Sequence, residues 1–337
     1  MIRVALDAMG GDSAPRTEVA GVVEALAELP GGFLVQLVGR CGAIEAELAQ
    51  HPGVDRGRLE LHEAADVIGM SEKPLQAVRK KPDSSMVVGL GLQRDSRSDA
   101  FISAGNTGAM LAGSTMLLGL HDGVERATVA TLFPTGGEPV LVLDGGANLD
   151  CSPRELLGFA YLGTVYMRDL MGRPNPVVGL LNVGEEEEKG TAIVREAHQL
   201  LKRAPRINYA GNIEGRDILP GPQQRIPVDV VVCDGFVGNI VLKFYESSAR
   251  VFVGLLKDRI PDAFDRPAMA DLNRILDYST YGGAPLLGVK GVSIVCHGAS
   301  SPNAIKNAIR VAVQAARAGL SQHIGAEFAQ RQTATPA

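Results

Sequence analysis

Short apolar runs alternate with amphipathic helical segments along most of this chain, and this alternation restricts the possible folds more than any other feature. Val, Ile and Leu fill runs such as 2–8 and 228–235, whereas 153–170 and 301–319 place apolar residues at helical spacing. Apolar strands that alternate with helices are typical of a parallel sheet covered on both faces. We therefore predict an α/β fold with a largely parallel central sheet flanked by helices. One antiparallel pair is expected within 128–146, where the turn TGGE separates two strands.

Many of the predicted strands end in a loop that carries Asp, Asn or Gly. These loops are LDAMGGD, SAGNTGA, LDGGANLD, AGNIEGRD, CDGFVGN and CHGAS. Asp and Gly also end strands and cap helices for purely structural reasons, so one such loop alone is ambiguous. Ligands of open α/β sheets, however, collect beyond the carboxyl ends of the strands. The recurrence of such loops therefore predicts one polar, glycine-lined site.

Length and composition restrict the class of protein. The 337 residues can bury a large core, and we expect one two-lobed catalytic domain over 1–330 followed by a flexible tail over 331–337. The net charge of −5 argues against nucleic acid as the main partner. The sequence has no long uncharged apolar run and no signal-peptide pattern, which favours a cytoplasmic location. The four cysteines form no CxxC pair, so we expect reduced and mostly buried thiols.

The common nucleotide, metal and hydrolase motifs are missing from the sequence. DAMGGD lacks the Rossmann glycine spacing, GAPLLGVK lacks the Walker Ser or Thr, and no GxSxG, HExxH or zinc pattern occurs. The remaining candidate groups are backbone amides and the side chains of Asn, Ser, Lys and His. Such groups suit a small anion held at the start of a helix. In SAGNTGA the candidates are Ser103, Gly105, Asn106, Thr107 and Gly108.

Ordered motifs from residue 4 to about residue 310 resemble those of the phosphate acyltransferase family of bacterial phospholipid synthesis. The motifs are ALDAMGGDSAP, EKPLQAVRKKPDSSM, SAGNTGAM, NVGEEEEKG, YAGNIEGRDI, DVVVCDGFVGNIVLK, and YGGAPLLGVKG followed by HGAS. The resemblance implies that acyl-(acyl carrier protein) and inorganic phosphate react to give acyl phosphate and the free carrier protein. It also implies a fold like that of phosphotransacetylases and of isocitrate and isopropylmalate dehydrogenases.

The resemblance further implies that the protein is a homodimer loosely attached to the inner face of the cell membrane. It implies that a glycerol-3-phosphate acyltransferase catalyses the next step. Neither holding phosphate nor stabilising the oxyanion requires a redox cofactor, so we expect no cofactor.

This reaction requires that phosphate be held near a thioester carbonyl and that the developing oxyanion be stabilised. We expect the SAGNTGA residues and Lys73 to hold phosphate, and His297 or Lys290 to stabilise the oxyanion or protonate the leaving sulfur. The candidate catalytic residues are thus Lys73, Asn106, His297 and Lys290, and no metal ligands are expected. The further candidates for ordering or contacting the substrates are Asn212, Glu214, Asp217, Asp234, Asn239 and Ser300.

The acidic run GEEEEKG, residues 184–190, is expected to be a solvated helix start. A metal site is a less favoured alternative for this run, and contact of Lys189 with the phosphate is another.

Apolar positions at helical spacing predict a helical hairpin at about 240–280, for contact with a second subunit or a membrane. Basic residues accompany the apolar ones near its tip, which suits anionic lipids or an acidic carrier protein. The contact candidates are Leu255, Leu256, Lys257, Arg259, Ile260 and Phe264. Three other functions remain open: a phosphotransacetylase that uses acyl-CoA, a metal- and NAD-dependent dehydrogenase of the same fold, and a non-catalytic scaffold for lipid synthesis.

Overall fold

The structure, a computed structural model, describes residues 1–135, 137–219, 227–260 and 282–334. The chain divides into two compact units. The first unit contains Met1–Ala127 and Tyr281–Ala337, and the second contains Thr128–Thr280. The single two-lobed catalytic domain expected over 1–330 stays a prediction.

Strands and helices alternate along the described residues. The strands are β1 (Ile2–Asp7), β2 (Phe33–Gly39), β3 (Leu59–Glu63), β4 (Ala100–Ser103), β5 (Thr128–Val129), β6 (Thr131–Phe133), β7 (Val140–Leu143), β8 (Val177–Leu181), β9 (Asn208–Ile213), β10 (Val230–Val232), β11 (Ala284–Leu287) and β12 (Ser293–Val295). The helices are α1 (Arg16–Glu28), α2 (Cys41–Leu48), α3 (Pro74–Lys80), α4 (Ser85–Arg94), α5 (Thr107–Leu117), α6 (Pro153–Met171), α7 (Ala192–Lys202), α8 (Gly235–Arg259), α9 (Pro302–Arg317) and α10 (Leu320–Ala334). Short 3-10 turns lie at Arg56–Arg58 and Gly215–Asp217.

The first unit contains a sheet with the strand order β3-β2-β1-β4-β12-β11. All neighbouring strands in this series are parallel except β11, which runs antiparallel to β12. The register pairs Leu6 with Ile102 and Ile102 with Ile294. The carboxyl ends of β1, β4 and β12 therefore share one edge of the sheet. Helices α1 and α9 pack closely, since a Cβ added at Gly21 would lie 2.5 Å from the Cβ of Ile305.

The second unit contains a sheet with the order β6-β7-β10-β8-β9. Strands β7, β10, β8 and β9 are parallel, so their carboxyl ends also share one edge. Strand β6 runs antiparallel to β7, which confirms the antiparallel pair predicted around the turn TGGE. Helix α6 packs against β10 at Gly163, where an added Cβ would lie 2.6 Å from the side chain of Val230.

Several elements differ from those predicted. The four glutamates 185–188 precede α7 rather than forming its first turn, because Thr191 caps the helix by accepting the N–H of Val194 at 3.3 Å. Strand β11 is not among the strands that the sequence predicts. Helix α10 extends to Ala334, into the region expected to be a flexible tail.

Helix α8 covers the first part of the predicted hairpin. The rest of the hairpin, including Phe264, lies outside the described residues. Among the helices described, none combines the length and the apolar character needed to cross a bilayer.

Candidate functional site

Four loops meet at the carboxyl edge of the sheet in the first unit: 7–12, 69–73, 103–108 and 296–300. We call them the loop cluster. A Cβ added at Gly10 would lie 2.8 Å from the amide nitrogen of Gly105, and the N–H of Asp12 donates to the carbonyl oxygen of Gly298 at 2.8 Å. The side chain of Asn106 connects 103–108 to 69–73. Within this unit, the predicted convergence of three of the Gly- and Asp-bearing loops is confirmed.

Asn106 joins two loops through its side-chain amide. Its Oδ1 accepts the N–H of Ala109 at 3.0 Å and so caps α5. Its Nδ2 lies 3.3, 3.0 and 3.2 Å from the carbonyl oxygens of Gly69, Met70 and Glu72, respectively. The side chain is therefore engaged within the protein and holds 69–73 against the start of α5. Direct contact of this side chain with a phosphate stays a prediction and would require release of these carbonyls.

Ser103 is also engaged within the protein. Its hydroxyl donates to Asp7 Oδ2 at 2.7 Å and accepts the N–H of Gly105 at 3.0 Å. Asp7 also accepts the N–H of Met9 at 3.0 Å. Both side chains are buried, and burial raises the pKa of Asp7. The hydroxyl of Ser103 thus links the turn to β1, and its contact with phosphate stays a prediction.

The first two amides of α5, those of Thr107 and Gly108, point to an anion site. Neither N–H has a hydrogen-bond partner among the described residues. Thr107 is exposed and Gly108 is half-buried. The first N–H groups of a helix carry partial positive charge and attract anions. The absence of a side chain at Gly108 allows α3 to begin beside it, since an added Cβ would lie 2.7 Å from Pro74 Cγ.

Lys73 lies in the loop cluster immediately before α3. Its side chain is exposed, and its ammonium group has no ion-pair partner in the part of the chain that the structure describes. The preceding residue, Glu72, accepts the N–H of Gly69 and the ammonium of Lys81, each at 2.7 Å. The backbone that carries Lys73 is therefore held in place while its charge remains available.

His297 lies in the fourth loop, directly after β12. Its Nδ1 accepts the N–H of Ala299 at 3.2 Å, and its carbonyl oxygen accepts the N–H of Ser300 at 2.9 Å. Because Nδ1 accepts a hydrogen bond, the neutral imidazole carries its proton on Nε2. The exposed His297 thus offers one N–H donor in the loop cluster.

Lys290 lies away from the loop cluster. It lies in the connection between the antiparallel strands β11 and β12, at the edge where β12 begins. Its N–H donates to Gly119 at 2.9 Å, beyond the C-terminal end of α5, and its ammonium pairs with Asp122 at 3.1 Å. Since α5 has 11 residues, its two ends are about 16 Å apart. The prediction that Lys290 stabilises the oxyanion or protonates the leaving sulfur is therefore not supported by its position.

In the second unit, Asp144 organises the glycine-rich turn that follows β7. Its Oδ1 accepts the N–H groups of Val129, Gly146 and Ala147, each at 3.1 Å. Its Oδ2 accepts the backbone and side-chain N–H groups of Asn148 at 2.7 and 2.8 Å. Asp144 is completely buried. The amides of this turn are thus satisfied by a carboxyl group of the protein itself.

The predicted residues Asp234 and Asn239 lie near this turn. Asp234 caps α8 by accepting the N–H of Val237 at 2.8 Å. A Cβ added at Gly146 would lie 3.1 Å from Asn239 Cβ, so the side chain of Asn239 lies beside the turn.

The other predicted residues of the second unit lie at and after the end of β9. Glu214 and Asp217 cap the 3-10 turn Gly215–Asp217, and the N–H of Glu214 donates to Asp217 at 2.9 Å. The buried Asn212 donates to the carbonyl oxygen of Glu186 at 3.0 Å. Substrate contact by these residues stays a prediction.

Three buried acids were missed by the sequence analysis as individual site residues: Asp7, Glu18 and Asp144. Asp7 and Asp144 had a usable signal, because each follows an apolar strand as LD and soon precedes a Gly-Gly pair. Glu18 had no such signal, since an acid in the first turn of a helix is ordinarily solvated. Within the described residues, no three His, Cys, Asp or Glu side chains are grouped so that they could hold a metal ion.

Similarity to known proteins extends over almost the whole chain. A family described as "Fatty acid synthesis protein" matches residues 2–323. A protein of Heliobacterium modesticaldum named phosphate acyltransferase is 46% identical over 335 residues, which cover 96% of this chain and 98% of that protein. A protein of Moorella thermoacetica with the same name is 44% identical over 333 residues, which cover 96% and 95% of the two chains.

Solved structures show the same fold at low sequence identity. The EutD phosphotransacetylase of Staphylococcus aureus has a TM-score of 0.60 and 15% identity, and the match covers 94% of both chains. A phosphotransacetylase of Streptococcus pyogenes has a TM-score of 0.60 and 18% identity, with the same coverage. The predicted α/β, phosphotransacetylase-like fold is confirmed. The family match and the relatives at up to 46% identity show that this chain belongs to the phosphate acyltransferase family and is an acyltransferase.

Proposed function

We propose that this chain transfers the acyl group of acyl-(acyl carrier protein) to inorganic phosphate, giving acyl phosphate and the free carrier protein for phospholipid synthesis. The observation that carries the proposal is the pair of backbone N–H groups of Thr107 and Gly108 at the positive end of α5, which have no partner among the described residues. We call them the open amides. Lys73 adds a positive charge to the same loop cluster. Membership in the phosphate acyltransferase family supports phosphate as the acceptor.

In the proposed reaction, a phosphate oxygen attacks the carbonyl carbon of the thioester. The new C–O bond forms as the C–S bond breaks, and the thiolate leaves with the carrier protein and takes up a proton. The amides of Thr107 and Gly108 hold the phosphate, and Lys73 offsets its charge. Alignment of two reactants in this way can lower the activation barrier by roughly 7 kcal/mol or more.

His297 is the proposed donor to the developing charge. Its Nε2–H would stabilise the carbonyl oxyanion or donate a proton to the leaving sulfur. Removal of one such donor typically costs about 3 kcal/mol in transition-state stabilisation. Ser300 lies in the same loop, and its contact with phosphate is part of the proposal.

The test is an assay of the full chain with acyl-(acyl carrier protein) and phosphate, without NAD or added metal ions. Acyl phosphate is trapped with hydroxylamine and the released carrier thiol is counted; we expect equal amounts. Turnover with acyl-CoA but not with the carrier thioester would instead support a phosphotransacetylase. Reduction of NAD with a hydroxy acid and a divalent metal would support a dehydrogenase, and lack of any turnover would support a scaffold.

We further propose that the protein is cytoplasmic and peripherally attached to the inner face of the cell membrane through the C-terminal part of α8. Val251, Phe252 and Leu255 are each at least half exposed there, beside the basic Lys257 and Arg259. Apolar and basic side chains together favour binding to anionic lipid surfaces. The same cations suit an acidic acyl carrier protein. Attachment would also bring the acyl phosphate close to a membrane-bound glycerol-3-phosphate acyltransferase.

Flotation with anionic liposomes tests this attachment. The double substitution of Leu255→Glu and Leu256→Glu should abolish flotation. Ile193→Glu is the matched control, because Ile193 on α7 is 44% exposed and apolar; it should float like the wild type. Equal flotation of the double variant and the wild type would leave the membrane proposal without support.

We also propose a homodimer, formed through the N-terminal half of α8. Phe236, Ile240 and Phe244 follow one another at four-residue spacing and are 58%, 53% and 72% exposed. Residues four apart lie on one face of a helix. Phe244→Glu should therefore shift the sedimentation equilibrium to a monomer, whereas Ile193→Glu should not.

A further inference from the structure

Glu18 is a buried acid directly beneath the loop cluster. It lies in the first turn of α1 and is 1% exposed. A Cβ added at Gly11 would collide with Oε1 of Glu18, so the carboxyl group lies against the loop 7–12. Its Oε2 is buried and has no hydrogen-bond partner among the described residues. A buried carboxylate oxygen without a partner disfavours the charged form.

Two of the titratable groups that face Glu18, Asp7 at the end of β1 and Asp12 in the loop 7–12, also disfavour its charge. The third is the buried thiol of Cys296 after β12; its pKa is raised to about 12, mainly by burial, so it adds no charge near neutral pH. Burial, and next the negative charges of Asp7 and Asp12, raise the pKa of Glu18 to about 7; the amides of Glu18 and Gly11 oppose this rise only in part. The group therefore changes charge near neutral pH.

Lys306 is the residue of α9 that forms ion pairs with α1, and its partners lie toward the C-terminal end of α1. Lys306 pairs with Glu28 at 2.7 Å and lies 3.7 Å from Glu24. Where α9 faces the first turns of α1, it presents Pro302 and Ile305 to Gly21. The contacts of α9 therefore do not supply a positive charge to Glu18.

The loop 7–12 connects Glu18 to the open amides. Gly11 contacts the carboxyl group, and its neighbour Gly10 approaches the amide nitrogen of Gly105. Gly105 lies two residues before Thr107 on the loop that begins α5. The loop 7–12 thus lies between the carboxyl group of Glu18 and the turn that precedes the open amides.

We propose that Glu18 is a positioning residue whose protonation sets the affinity of the loop cluster for a small tetrahedral anion. The neutral carboxyl group supports binding of the anion, and the carboxylate opposes it. This inference rests on the proposed function, because it takes the Thr107–Gly108 turn as the phosphate site.

Sulfate is the appropriate probe, since it resembles phosphate but does not titrate near pH 7. Calorimetric titration of the full chain with sulfate, in buffers of different ionisation enthalpy, counts the protons that the protein binds. Because the anion favours neutral Glu18, binding near pH 7 should take up a substantial fraction of one proton. The affinity should fall roughly tenfold from pH 6 to pH 8, because the negative charge that Glu18 acquires repels the anion.

Two variants assign the proton. Glu18→Gln, which is neutral at every pH, should lose both the uptake and the pH dependence. His297→Gln is the control, because His297 lies in the same loop cluster; it should retain the uptake. Uptake that persists in Glu18→Gln, or that disappears in His297→Gln, would overturn the inference.

If Glu18→Gln fails to fold, the proton uptake of the wild-type protein on sulfate binding still tests the role of Glu18. Sulfate binding without proton uptake would overturn the role of Glu18 and leave the proposed function intact. Absence of sulfate binding at every pH would contradict the phosphate site itself, and the inference would fall with it.

Discussion

The turns that follow β4 and β7 have similar glycine-rich sequences but opposite hydrogen bonding. In the first, SAGNTG, the amides of Thr107 and Gly108 have no partner among the described residues. In the second, LDGGAN, the carboxyl group of Asp144 accepts the amides of Gly146 and Ala147. A glycine-rich turn at the end of a strand is therefore not in itself an anion site. Its amides are available only where no acid of the protein occupies the position of the anion.

The location of the acid explains the difference. Asp144 belongs to the turn that it fills. The corresponding acid of the first unit, Asp7, lies on the neighbouring strand β1 and accepts the hydroxyl of Ser103 and the amide of Met9. It therefore fixes the start of the turn and leaves the start of α5 open.

The largest expected effect is that of Asp144→Ala. The substitution leaves five N–H donors without their buried acceptor, and each such donor typically costs about 1–3 kcal/mol. We expect the free energy of unfolding to fall by about 5 kcal/mol or more, as measured by urea denaturation. Asp234→Ala, which removes one capping bond, should cost about 1 kcal/mol. Equal losses for the two variants would contradict the role given to Asp144.

The pH dependence of stability tests the acid beneath the first turn. A carboxyl group whose pKa rises from 4.5 to about 7 on folding binds its proton more tightly in the folded state. Stability therefore falls as the pH rises through this window, by about 3 kcal/mol at most. Glu18→Gln should lose this dependence, so its unfolding free energy should exceed that of the wild type more at pH 8 than at pH 5. Glu24→Gln on the same helix is the control, since the side chain of Glu24 is 39% exposed and pairs with Lys306 at 3.7 Å; this substitution should not produce the same difference between pH 5 and pH 8.

Asn106→Ala tests the side chain that joins 69–73 to the start of α5. Loss of the cap and of the contacts with three carbonyls should lower the free energy of unfolding by about 2 kcal/mol and raise KM for phosphate roughly tenfold, a change worth about 1.4 kcal/mol. Thr191→Ala removes a cap from α7 in the second unit and should cost about 1 kcal/mol in stability without changing KM. An unchanged KM in Asn106→Ala would remove Asn106 from the support of the anion site.

The smallest effect is expected for Lys290→Ala. Its ion pair with Asp122 is exposed, and such pairs contribute about 0–1 kcal/mol. Its position at the opposite edge of the sheet predicts no change in KM for phosphate. Lys73→Ala should raise that KM severalfold, so similar values for the two variants would contradict the placement of the site.

The fold, and the sheet edge at which the loop cluster lies, could be predicted from the sequence. Apolar strands alternating with helices require parallel connections, and parallel strands bring their carboxyl ends together. Lys290 could not be placed correctly, because β11 was not expected and an antiparallel strand reverses the edge at which its following loop lies. The segment APLL contains a proline and follows two glycines. Proline and glycine are both uncommon in strands, so the sequence does not indicate a strand there.

The hydrogen bonding of the site could not be predicted either. Local sequence placed Ser103 and Asn106 at a turn before a helix, which the structure confirms. It could not show that Asp7, 96 residues earlier, accepts the hydroxyl of Ser103, or that carbonyls of 69–73 occupy the amide of Asn106. These contacts arise only when distant segments pack together.

The central claim is that the first turn binds phosphate and the second does not. A crystal structure of the protein with phosphate tests this claim most directly. We predict phosphate oxygens about 3 Å from the amide nitrogens of Thr107 and Gly108, with no ion at the turn that Asp144 fills. A phosphate bound to the amides of Gly146 and Ala147, with those of Thr107 and Gly108 left bare, would contradict the account.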